Sequence, residues 1–426
     1  MDLHAAIKAF AGLSIAVIGD VMLDRYTFGE VERVSPEAAV PIVLQTGDRC
    51  TLGGAANVAN NIASLGGKPR LAGTIGDDDA GRKLLNLLQN HGINADSVLV
   101  VPGRITTEKQ RIVSGENHQL LRLDRETKEC LPEKYQNQCL QIARACIRSC
   151  QAVIFSDYAK GYFSQSVARD LIAFARSEKK LMLADFNPRH QSFYHGVNVI
   201  TPNLKEAREM TGLQDLPQMG EKIVRDMGAH AVITRGGDGM SLFQHPDAAP
   251  YHASGKKIRV FDVSGAGDTS IAVLALGLVS GLELKDAVTL SNEAGTLVVQ
   301  KPGTATLVPE ELLSVLNHTA QHPVIARSWG TEQWLESNDN YCCKILTLFH
   351  GHQSNLHYHK KKEEMLIVTA GLVRLELGHE TLQLRPGAFV RVPANTPHRF
   401  AGLEDSSILE IGTGNHADDH FIVSSS

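Results

Sequence analysis

The chain has 426 residues, a formal net charge of −5 at pH 7, and an ordinary composition with 43% hydrophobic and 21% charged residues. This length suits two or three domains with a sizeable core. The slight acidic excess and the lack of a long Lys/Arg run argue against nucleic acid or a membrane surface as a partner. The chain start, residues 1–4, lacks the charged and apolar regions of a signal peptide, and no apolar run approaches membrane-spanning length, so we expect a cytoplasmic protein.

Short apolar runs dominate the first two thirds of the chain, and each ends in a polar residue. Helical patterns, such as those of residues 167–177 and 204–211, separate the runs. Continuous Val, Ile and Leu runs with this spacing predict buried parallel strands in βαβ units, and therefore an α/β sandwich. In such sheets ligands gather at the carboxyl ends of the strands. The runs are residues 15–20, 152–157, 181–185, 199–203 and 231–234.

Two other patterns complete the chain. Alternating apolar and polar residues at 41–45, 108–113 and 119–124 predict a small antiparallel flap beside the main sheet, which could act as a lid. From about Trp329, short alternating strands with Gly and Pro turns predict an all-β barrel or sandwich. The expected division is an α/β domain at 1–318, a linker at 319–327 and a β domain at 328–426.

A glycine-rich turn, Gly265-Ala266-Gly267-Asp268, runs directly into an apolar segment. The unpaired N–H groups and the dipole of a helix that begins there can hold a phosphate or a developing anion. A carboxylate at Asp268 would repel phosphate, unless its task is to take a proton from the group that attacks that phosphate. The alternative is that Asp and Gly are simply common helix-start residues, and this stretch alone does not decide between the two.

A second turn, Gly53-Gly54-Ala55-Ala56-Asn57, opens a helix of small residues. Paired glycines allow a ligand to approach the backbone closely, and the Asn57 amide offers a donor and an acceptor to a hydroxyl-rich molecule. Taken in chain order with further motifs, the two turns resemble the ribokinase-like sugar kinase family over residues 1–315. Within that family the sequence is most similar to the heptose 7-phosphate kinases of lipopolysaccharide precursor synthesis. The motifs lie at residues 19–26, 35–38, 53–59, 156–161, 201–206, 234–239 and 265–268.

The resemblance implies a kinase in which Asp268 is the base that activates the acceptor hydroxyl of the sugar. The backbone amides of Gly265, Ala266 and Gly267 would stabilise the transferring phosphoryl group. The residues that would hold the other sugar hydroxyls are Asp24, Gly53, Gly54 and Asn57, with Asp20 as a further candidate.

The resemblance also implies ATP and Mg²⁺ as cofactors. Asn203 and Glu206 would organise Mg²⁺ and phosphate through water, which suits a cation that keeps much of its hydration. Thr234, Gly236 and Gly239 would line the path of the ATP phosphates.

A heptose 7-phosphate needs cations for its existing phosphate, because the new phosphoryl group is added at the opposite end of the sugar. Cationic residues lie in suitable segments, and Lys109 and Lys160 are the preferred pair. The alternative for each is a solvated surface charge that does not contact the ligand. The candidates are Lys109, Arg111, Arg122, Lys160 and Arg189.

Three histidines and one glutamate in the predicted β domain have the spacing of a metal centre. On a strand, His357 and His359 point to the same face, and Glu364 on the next strand and His398 further on can complete one side of a coordination sphere. Such a set suits Zn, Fe, Mn, Ni or Co and leaves open positions for water or substrate. The alternative is a group of surface histidines on an exposed hairpin.

This arrangement closely resembles the two cupin motifs over residues 340–412, in which these four residues match the metal ligands. Asn395 stands where the second motif usually has glycine. Residues 328–330 and Trp334 are similar to the cupin part of type II mannose-6-phosphate isomerases. The resemblance implies a metal-dependent isomerase or epimerase of the same sugar pathway, and the competing expectation is a non-catalytic sugar-binding or dimerisation module.

The leading hypothesis is therefore an ATP-dependent kinase that phosphorylates D-glycero-D-manno-heptose 7-phosphate at O1 to give the 1,7-bisphosphate. One alternative is a kinase for another sugar, such as a ribose- or fructose-like acceptor. Another is a non-catalytic sugar sensor, which the intact set of Asp268, Asn203 and Glu206 disfavours. A homodimer is expected because the lids and cupins of these families favour dimers.

Overall fold

The computed structural model of the chain describes residues 2–114, 118–256, 258, 260–301, 303–321, 324–338, 340–414 and 419–423. The chain divides into two compact units, Met1–Leu313 and Ser314–Ser426, here called the α/β unit and the β unit. Among the described residues, no helix is both long and apolar enough to span a membrane.

The α/β unit alternates strands and helices, as the apolar runs predict. Two short 3₁₀ helices, Pro188–Phe193 and Gly236–Asp238, lie between its regular elements. In chain order these elements are α1 Leu3–Ala9, β1 Ser14–Gly19, β2 Val21–Val34, β3 Pro41–Gly54, α2 Ala55–Ser64, β4 Lys68–Gly76, α3 Asp79–Asn90, β5 Val98–Val101, β6 Thr107–Ser114, β7 His118–Arg125, α4 Glu133–Ser149, β8 Ala152–Asp157, α5 Gln165–Ser177, β9 Leu181–Phe186, β10 Val199–Ile200, α6 Leu204–Thr211, α7 Leu216–Met227, β11 His230–Thr234, β12 Gly239–Phe243, β13 Tyr251–Ser254, α8 Ala266–Ser280, α9 Leu284–Val298 and α10 Pro309–Gln321.

The main sheet has nine strands in the order β13-β12-β11-β10-β9-β8-β1-β4-β5. The strands from β11 to β5 run parallel, and β12 and β13 add to one edge as antiparallel strands. Central strands are apolar on both faces because helices cover both faces, and every residue of β8 is buried. The predicted α/β sandwich is confirmed.

A second sheet, the lid, has four strands in the order β3-β2-β6-β7. Its outer pairs, β2 with β3 and β6 with β7, are antiparallel as predicted, whereas β2 and β6 run parallel with Asp24 level with Lys109. The expectation of an antiparallel flap is wrong for that pair. β6 follows β2 only after a long crossover through α2, β4, α3 and β5, and such a crossover permits parallel pairing where a hairpin does not.

Helix α8 is enclosed by the rest of the α/β unit. Its residues from Asp268 to Gly277 are buried, and it packs against α2 and α9. A helix that is apolar on all sides needs such an enclosure. The consequence is that the carboxylate in its first turn, that of Asp268, is removed from water.

The β unit is built from two antiparallel sheets, in the orders β14-β15-β16-β23-β18-β21 and β20-β19-β22-β17-β24. Inward residues of both sheets, such as Leu346, Val368, Leu375 and Phe400, form its core. The predicted all-β domain is confirmed. Its strands are β14 Val324–Arg327, β15 Gly330–Ser337, β16 Tyr341–Leu348, β17 His357–Tyr358, β18 Glu364–Ala370, β19 Val373–Leu377, β20 Glu380–Leu384, β21 Phe389–Val392, β22 His398–Gly402, β23 Ser406–Thr413 and β24 Phe421–Ile422.

The structure differs from the predicted linker at 319–327. Strand β14, Val324–Arg327, lies inside that range and pairs with β15 in an antiparallel hairpin. The short apolar stretch Val324-Ile325-Ala326 gives the strand its β propensity, and residues 328–329 supply a tight turn. The two compact units divide between Leu313 and Ser314. The domain bounds of 1–318 and 328–426 stay a prediction.

Candidate active site and metal centre

Asp268 lies in the first turn of α8 and is only 5% exposed. Its carboxylate accepts hydrogen bonds from the Tyr158 hydroxyl at 2.6 Å and from Asn57 Nδ2 at 2.7 Å. Burial raises the pKa of Asp268 to about 6, and the two donors oppose a further rise. A carboxylate with such a pKa is ionised at pH 7 and still basic enough to accept a proton from a hydroxyl, as a general base must.

The turn before α8 depends on Gly265, which caps the helix with φ +80°. A Cβ at this position would lie 2.7 Å from Asn57 Nδ2, so a side chain would displace the amide that holds Asp268. The N–H of Ala266 donates to the Val263 carbonyl at 3.3 Å. Of the predicted anion-binding amides, those of Gly265 and Gly267 are therefore more available than that of Ala266.

Buried polar side chains fix α2 against α8. Asn61 Nδ2 donates to the Asn57 carbonyl at 2.9 Å, and the Thr269 hydroxyl donates to Asn61 Oδ1 at 2.8 Å. Asn57 and Asn61 are both fully buried. These bonds set the distance between the two helices, and so they hold the Asn57 amide at the Asp268 carboxylate.

The predicted sugar residues come together beside Asp268. Asp24 on β2 is 5% exposed, and its Oδ1 lies 2.5 Å from Arg111 Nη1. On β3, a Cβ at Gly53 would come within 2.5 Å of Asp24 Oδ2, so glycine keeps that oxygen accessible. Gly54 begins α2, which carries Asn57. The charge of Asp24 also contributes to the raised pKa of Asp268.

The preferred cations, Lys109 and Lys160, lie at the same site. Lys109 is level with Asp24 on the neighbouring strand, and its Nζ lies 5.3 Å from the centre of the Tyr158 ring. Burial lowers the pKa of Lys109, and the charge of Lys160 contributes in the same direction. The Lys160 ammonium pairs with Glu126 Oε2 at 2.5 Å.

A cavity of about 510 Å³ opens on the other side of the α8 turn. Thr234, Gly236 and Gly239 line it, as the sequence predicts, and Ala266 and Gly267 form its boundary with the α8 turn. Apolar side chains that were not predicted provide part of its wall, beside polar residues such as Lys256 and Asn292, and an apolar surface of this kind suits an aromatic base. The apolar side chains are Met240, Ile258, Val260, Val263 and Val299.

Asn203 and Glu206 form a capping box at the start of α6. Asn203 Oδ1 accepts the Glu206 N–H at 3.0 Å, and Glu206 Oε2 accepts the Asn203 N–H at 2.8 Å. Burial raises the pKa of Glu206. Because an ionised carboxylate offers about four acceptor positions, the capping bond leaves room for a hydrated cation.

In the β unit, the predicted ligands meet between β17, β18 and β22. His359 Nε2 lies 3.2 Å from Glu364 Oε1, and His398 Nε2 lies 3.1 Å from Glu364 Oε2. His357 is level with His398 on the paired strand, with ring centroids 4.3 Å apart. All four side chains are buried, which excludes the alternative of surface histidines.

Backbone carbonyls orient the three rings. Nδ1 of His357 donates to Asn355 O at 2.9 Å, Nδ1 of His398 donates to Thr396 O at 3.0 Å, and Nδ1 of His359 donates to Asp419 O. Since a carbonyl can only accept, each Nδ1 carries the proton and each Nε2 presents a lone pair, the arrangement found for metal-bound histidines. The buried atoms Glu364 Oε2 and His398 Nε2 have no hydrogen-bond partner. These residues therefore fit a divalent transition metal.

A buried cation borders this centre. Lys362 Nζ lies 2.7 Å from Glu364 Oε1 and 2.6 Å from Glu410 Oε1. Burial alone would raise the pKa of Glu364, but the adjacent imidazoles of His359 and His398 and the charge of Lys362 hold it well below its usual range. Glu364 is therefore ionised, as a metal ligand must be.

A cavity of about 660 Å³ opens over the centre. Its lining includes His357, His359 and Lys362, and both tryptophans of the chain, Trp329 and Trp334. Aromatic and charged groups together suit a polar, hydroxyl-rich ligand.

Comparison with known proteins identifies the two units. Residues 13–311 match the family model of the pfkB family carbohydrate kinases. The chain belongs to this family. Its α/β unit is accordingly an ATP-dependent carbohydrate kinase, called the kinase unit from here on. Residues 345–412 match the model of the Cupin domain, and the β unit is called the cupin unit.

Several relatives carry the name Bifunctional protein HldE. The one from Desulfatibacillum aliphaticivorans is 40% identical over 316 residues, which are 73% of this chain and 64% of that protein. The one from Acidiphilium cryptum is 38% identical over 368 residues, which are 82% of this chain and 75% of that protein. The chain thus covers less than two thirds of the length of the first of these relatives.

Solved structures support the fold of the kinase unit. Arabidopsis thaliana ribokinase, complexed with ribose and ATP, has a TM-score of 0.58 and 19% identity, covering 72% of this chain and 99% of the ribokinase. Escherichia coli phosphofructokinase-2, in complex with substrates and products, has a TM-score of 0.59 and 17% identity, covering 73% of this chain and 100% of its own.

The contacts of Asp20 differ from the predicted role of this residue in holding sugar hydroxyls. Its carboxylate accepts backbone N–H bonds from Tyr158 at 2.9 Å, Lys160 at 3.0 Å and Tyr162 at 3.2 Å. Burial, and then the nearby charge of Asp157, raise the pKa of Asp20 to about 6. Because three backbone donors occupy its oxygens, Asp20 shapes the loop that carries Tyr158 and Lys160.

Two of the candidate cations lie on the surface. Arg122 is half exposed and pairs with Asp124 two residues along its own strand, at 2.9 Å. Arg189 is exposed in the 3₁₀ helix that follows β9. The alternative of a solvated surface charge accounts better for both, whereas Arg111 is partly buried and pairs with Asp24.

Residues that the sequence analysis did not assign also contribute. Tyr158 follows β8 and donates a hydrogen bond to Asp268. Its position at the carboxyl end of a predicted strand is the sequence feature that could have marked it as a site residue. Asp185 ends the neighbouring strand β9, and burial, together with the charges of Glu206 and Asp268, raises its pKa well above the usual value. Asn395 adopts φ +61°, a conformation that asparagine tolerates and that explains how it replaces the usual glycine.

The first prediction concerns pH. With Asp268 as the expected base, kinase kcat/KM should fall as the pH drops below about 6, because a protonated Asp268 could not accept a proton from the sugar. Tyr158→Phe removes a hydrogen bond that stabilises the ionised form, so the pKa of Asp268 should rise and the fall should begin at higher pH. Steady-state kinetics between pH 5 and 8 measures both. Tyr135→Phe on α4 is the control and should keep the wild-type pH profile. A Tyr158→Phe variant with the wild-type pH dependence of kcat/KM would contradict the assignment of Asp268 as the titrating group.

Proposed function

We propose that the kinase unit transfers the γ-phosphoryl group of ATP to O1 of D-glycero-D-manno-heptose 7-phosphate and gives the 1,7-bisphosphate. The observation that carries the proposal is the buried Asp268 carboxylate, which is close enough to Asp24 and Lys109 for their charges to affect its pKa. It follows Ala266 and Gly267, which line the cavity of about 510 Å³, here called the nucleotide cavity. The resemblance of the sequence motifs to heptose 7-phosphate kinases supports a heptose substrate.

In the proposed reaction, Asp268 accepts the proton of the anomeric hydroxyl as O1 attacks the γ-phosphorus. The bond between that phosphorus and the β,γ-bridging oxygen breaks, and ADP leaves. Tyr158 and Asn57 hold the carboxylate in position throughout. The amides of Gly265 and Gly267, at the positive end of the α8 dipole, stabilise the charge that develops on the transferring group, a contribution of about 2.7–4 kcal/mol for each donor in other enzymes.

Mg²⁺, when bound, would supply positive charge that neutralises the phosphates of ATP. Asn203 and Glu206 would hold its water shell, and the remaining acceptor positions of Glu206 suit this role. At the far end of the sugar, Lys109 and Lys160 would bind the 7-phosphate as point charges. Asp24 and Asn57 would bind hydroxyls between these two ends.

The second prediction tests the base. Asp268→Asn keeps the size of the side chain and removes its basicity, so turnover should fall by about 10²- to 10⁴-fold, the usual contribution of a general base. Nucleotide affinity, measured by calorimetry, should change little, because Asp268 is not among the residues that line the nucleotide cavity. Asp226→Asn, at an exposed ion pair on α7, is the matched control. Unchanged turnover in Asp268→Asn would contradict the assignment of Asp268 as the base.

The third prediction tests the substrate. In a panel of sugars with and without a terminal phosphate, heptose 7-phosphate should have the highest kcat/KM. Lys109→Gln should reduce that preference by roughly 10- to 150-fold, the equivalent of about 1.5–3 kcal/mol for a hydrogen bond to a charged group. Lys134→Gln, at an exposed lysine on α4, should leave that preference unchanged. Equal use of sugars that lack the phosphate would favour the alternative of a ribose- or fructose-like acceptor.

For the cupin unit, we propose a bound divalent transition metal, Zn, Fe, Mn, Ni or Co, and an isomerase or epimerase activity on a sugar of the same pathway. The neutral Nε2 atoms and the ionised Glu364 support metal binding. Lys362 and Glu410, in contact at the base of the cavity, supply a cation and a carboxylate for proton transfer. The alternative is a non-catalytic sugar-binding or dimerisation module.

A homodimer also belongs to the proposal. The lid exposes several large apolar side chains, which a second copy of the chain would cover. They are Val31, Val34, Leu44, Leu121 and Leu123, each more than 40% exposed.

The fourth prediction tests the metal centre. Metal analysis of the purified full chain should find about one divalent transition metal ion per chain. His398→Ala should lose most of this metal, because it removes a buried ligand whose Nε2 faces the centre. His379→Ala, an exposed histidine between β19 and β20, should retain it. A full chain without metal would leave isomerisation without a basis, although a sugar-binding role would survive.

A further inference from the structure

The C-terminal segment, Asp419–Val423, brings a fourth imidazole to the cupin centre. The His420 ring stacks on that of His357 with centroids 4.4 Å apart, and lies 5.4 Å from the ring of His359. One nitrogen from each of these three histidines lies within 4.8 Å of the other two. His359 also belongs to the group that it forms with Glu364 and His398, so the two groups meet at one ring.

Asp419 anchors this segment to the centre. Its buried carboxylate accepts the backbone N–H groups of three successive residues, Lys360 at 2.8 Å, Lys361 at 2.8 Å and Lys362 at 2.9 Å. Its carbonyl accepts the Nδ1–H of His359. The residue before His420 therefore both fixes the chain and orients one of the metal ligands.

Strand β24 anchors the residues after His420. Phe421 and Ile422 pair with Tyr358 and His357, and the Val423 N–H donates to the Leu356 carbonyl at 2.9 Å. With Asp419 on one side and β24 on the other, His420 has a defined position. It lines the cavity over the centre, although its own side chain is exposed.

We propose that His420 is a further ligand of the metal ion at His357, His359, Glu364 and His398, so that metal binding fastens the C-terminal segment over the cavity. This inference rests on the proposed metal centre. A fourth imidazole would occupy a position that three histidines and one glutamate leave open, and it suits the same borderline metals. A sugar that enters the cavity would then have fewer free positions on the ion.

Metal affinity and segment order are coupled in this arrangement. An ion that binds only when the segment is in place stabilises that state, and the ordered segment in turn raises the affinity for the ion. His420→Ala should lower the affinity for the ion and should remove the stabilisation of the segment by the ion. It should leave the metal-free fold intact, since His420 is exposed. Equal melting temperatures of the metal-free proteins check this.

The fifth prediction compares wild type, His420→Ala and the control His379→Ala as full chains. Titration with Co²⁺, followed by visible absorption, should give one site per chain in all three. The affinity of His420→Ala should be about 10- to 100-fold lower, the range seen when a group that supports a metal site is removed. Its d–d bands should shift, because water or an open position replaces a nitrogen ligand and changes the ligand field of the ion. The control should match the wild type.

Hydrogen exchange gives a second readout. Co²⁺ should slow the exchange of the Phe421 to Val423 amides in wild type and not in His420→Ala. If the two proteins agree in affinity, spectrum and exchange, His420 is not a ligand. If wild type binds two ions and His420→Ala one, the residue belongs to a separate site and the shared-ion inference falls. If wild type binds no Co²⁺, the metal centre itself is absent, which is a different failure.

Discussion

The active site depends on one buried charge. Asp268 loses most of its hydration when α8 is enclosed, and this loss raises its pKa. The Tyr158 hydroxyl and the Asn57 amide replace part of the lost hydration, and they come from different elements, the loop after β8 and helix α2. Because an unpaired buried carboxylate is costly, these contacts fix three elements relative to one another. The same contacts that stabilise the charge therefore hold the Asp268 carboxylate in the position that the proposed reaction requires.

The buried carboxylate of the cupin unit, that of Glu364, has a different electrostatic environment from that of Asp268. Glu364 lies against two imidazoles and an ammonium group, which hold its pKa low, whereas Asp268 has only neutral donors in direct contact and its pKa is raised. The first environment suits a permanent ligand, and the second suits a group that gains and loses a proton. Lys362 links Glu364 to Glu410, so its charge is shared between the metal centre and the cavity base. The two units thus hold their buried carboxylates in two different electrostatic environments.

Sequence patterns predicted the strands, the helix start at Asp268 and the grouping of His357, His359, Glu364 and His398, because local periodicity and turn chemistry determine where these residues lie on their elements. They did not predict contacts between distant segments. The Tyr158–Asp268 bond joins residues 110 positions apart, and the role of Asp20 became visible only when the loop after β8 was placed over it. The parallel pairing of β2 and β6 depends on the crossover between them. His420 stands 22 residues after His398, and no motif marks its distance from the centre.

The measurement that tests the central claim most directly is the pKa of the Asp268 carboxyl group itself. Carbon-13 NMR of the full chain with labelled aspartate carboxyl groups, compared with the same spectrum of Asp268→Asn, identifies its signal. The account predicts a titration midpoint at about pH 6 in the absence of ligands. A midpoint near 3.8, the ordinary value for aspartate, would show that burial does not tune this group, and would contradict its role as the base on which the proposed reaction depends.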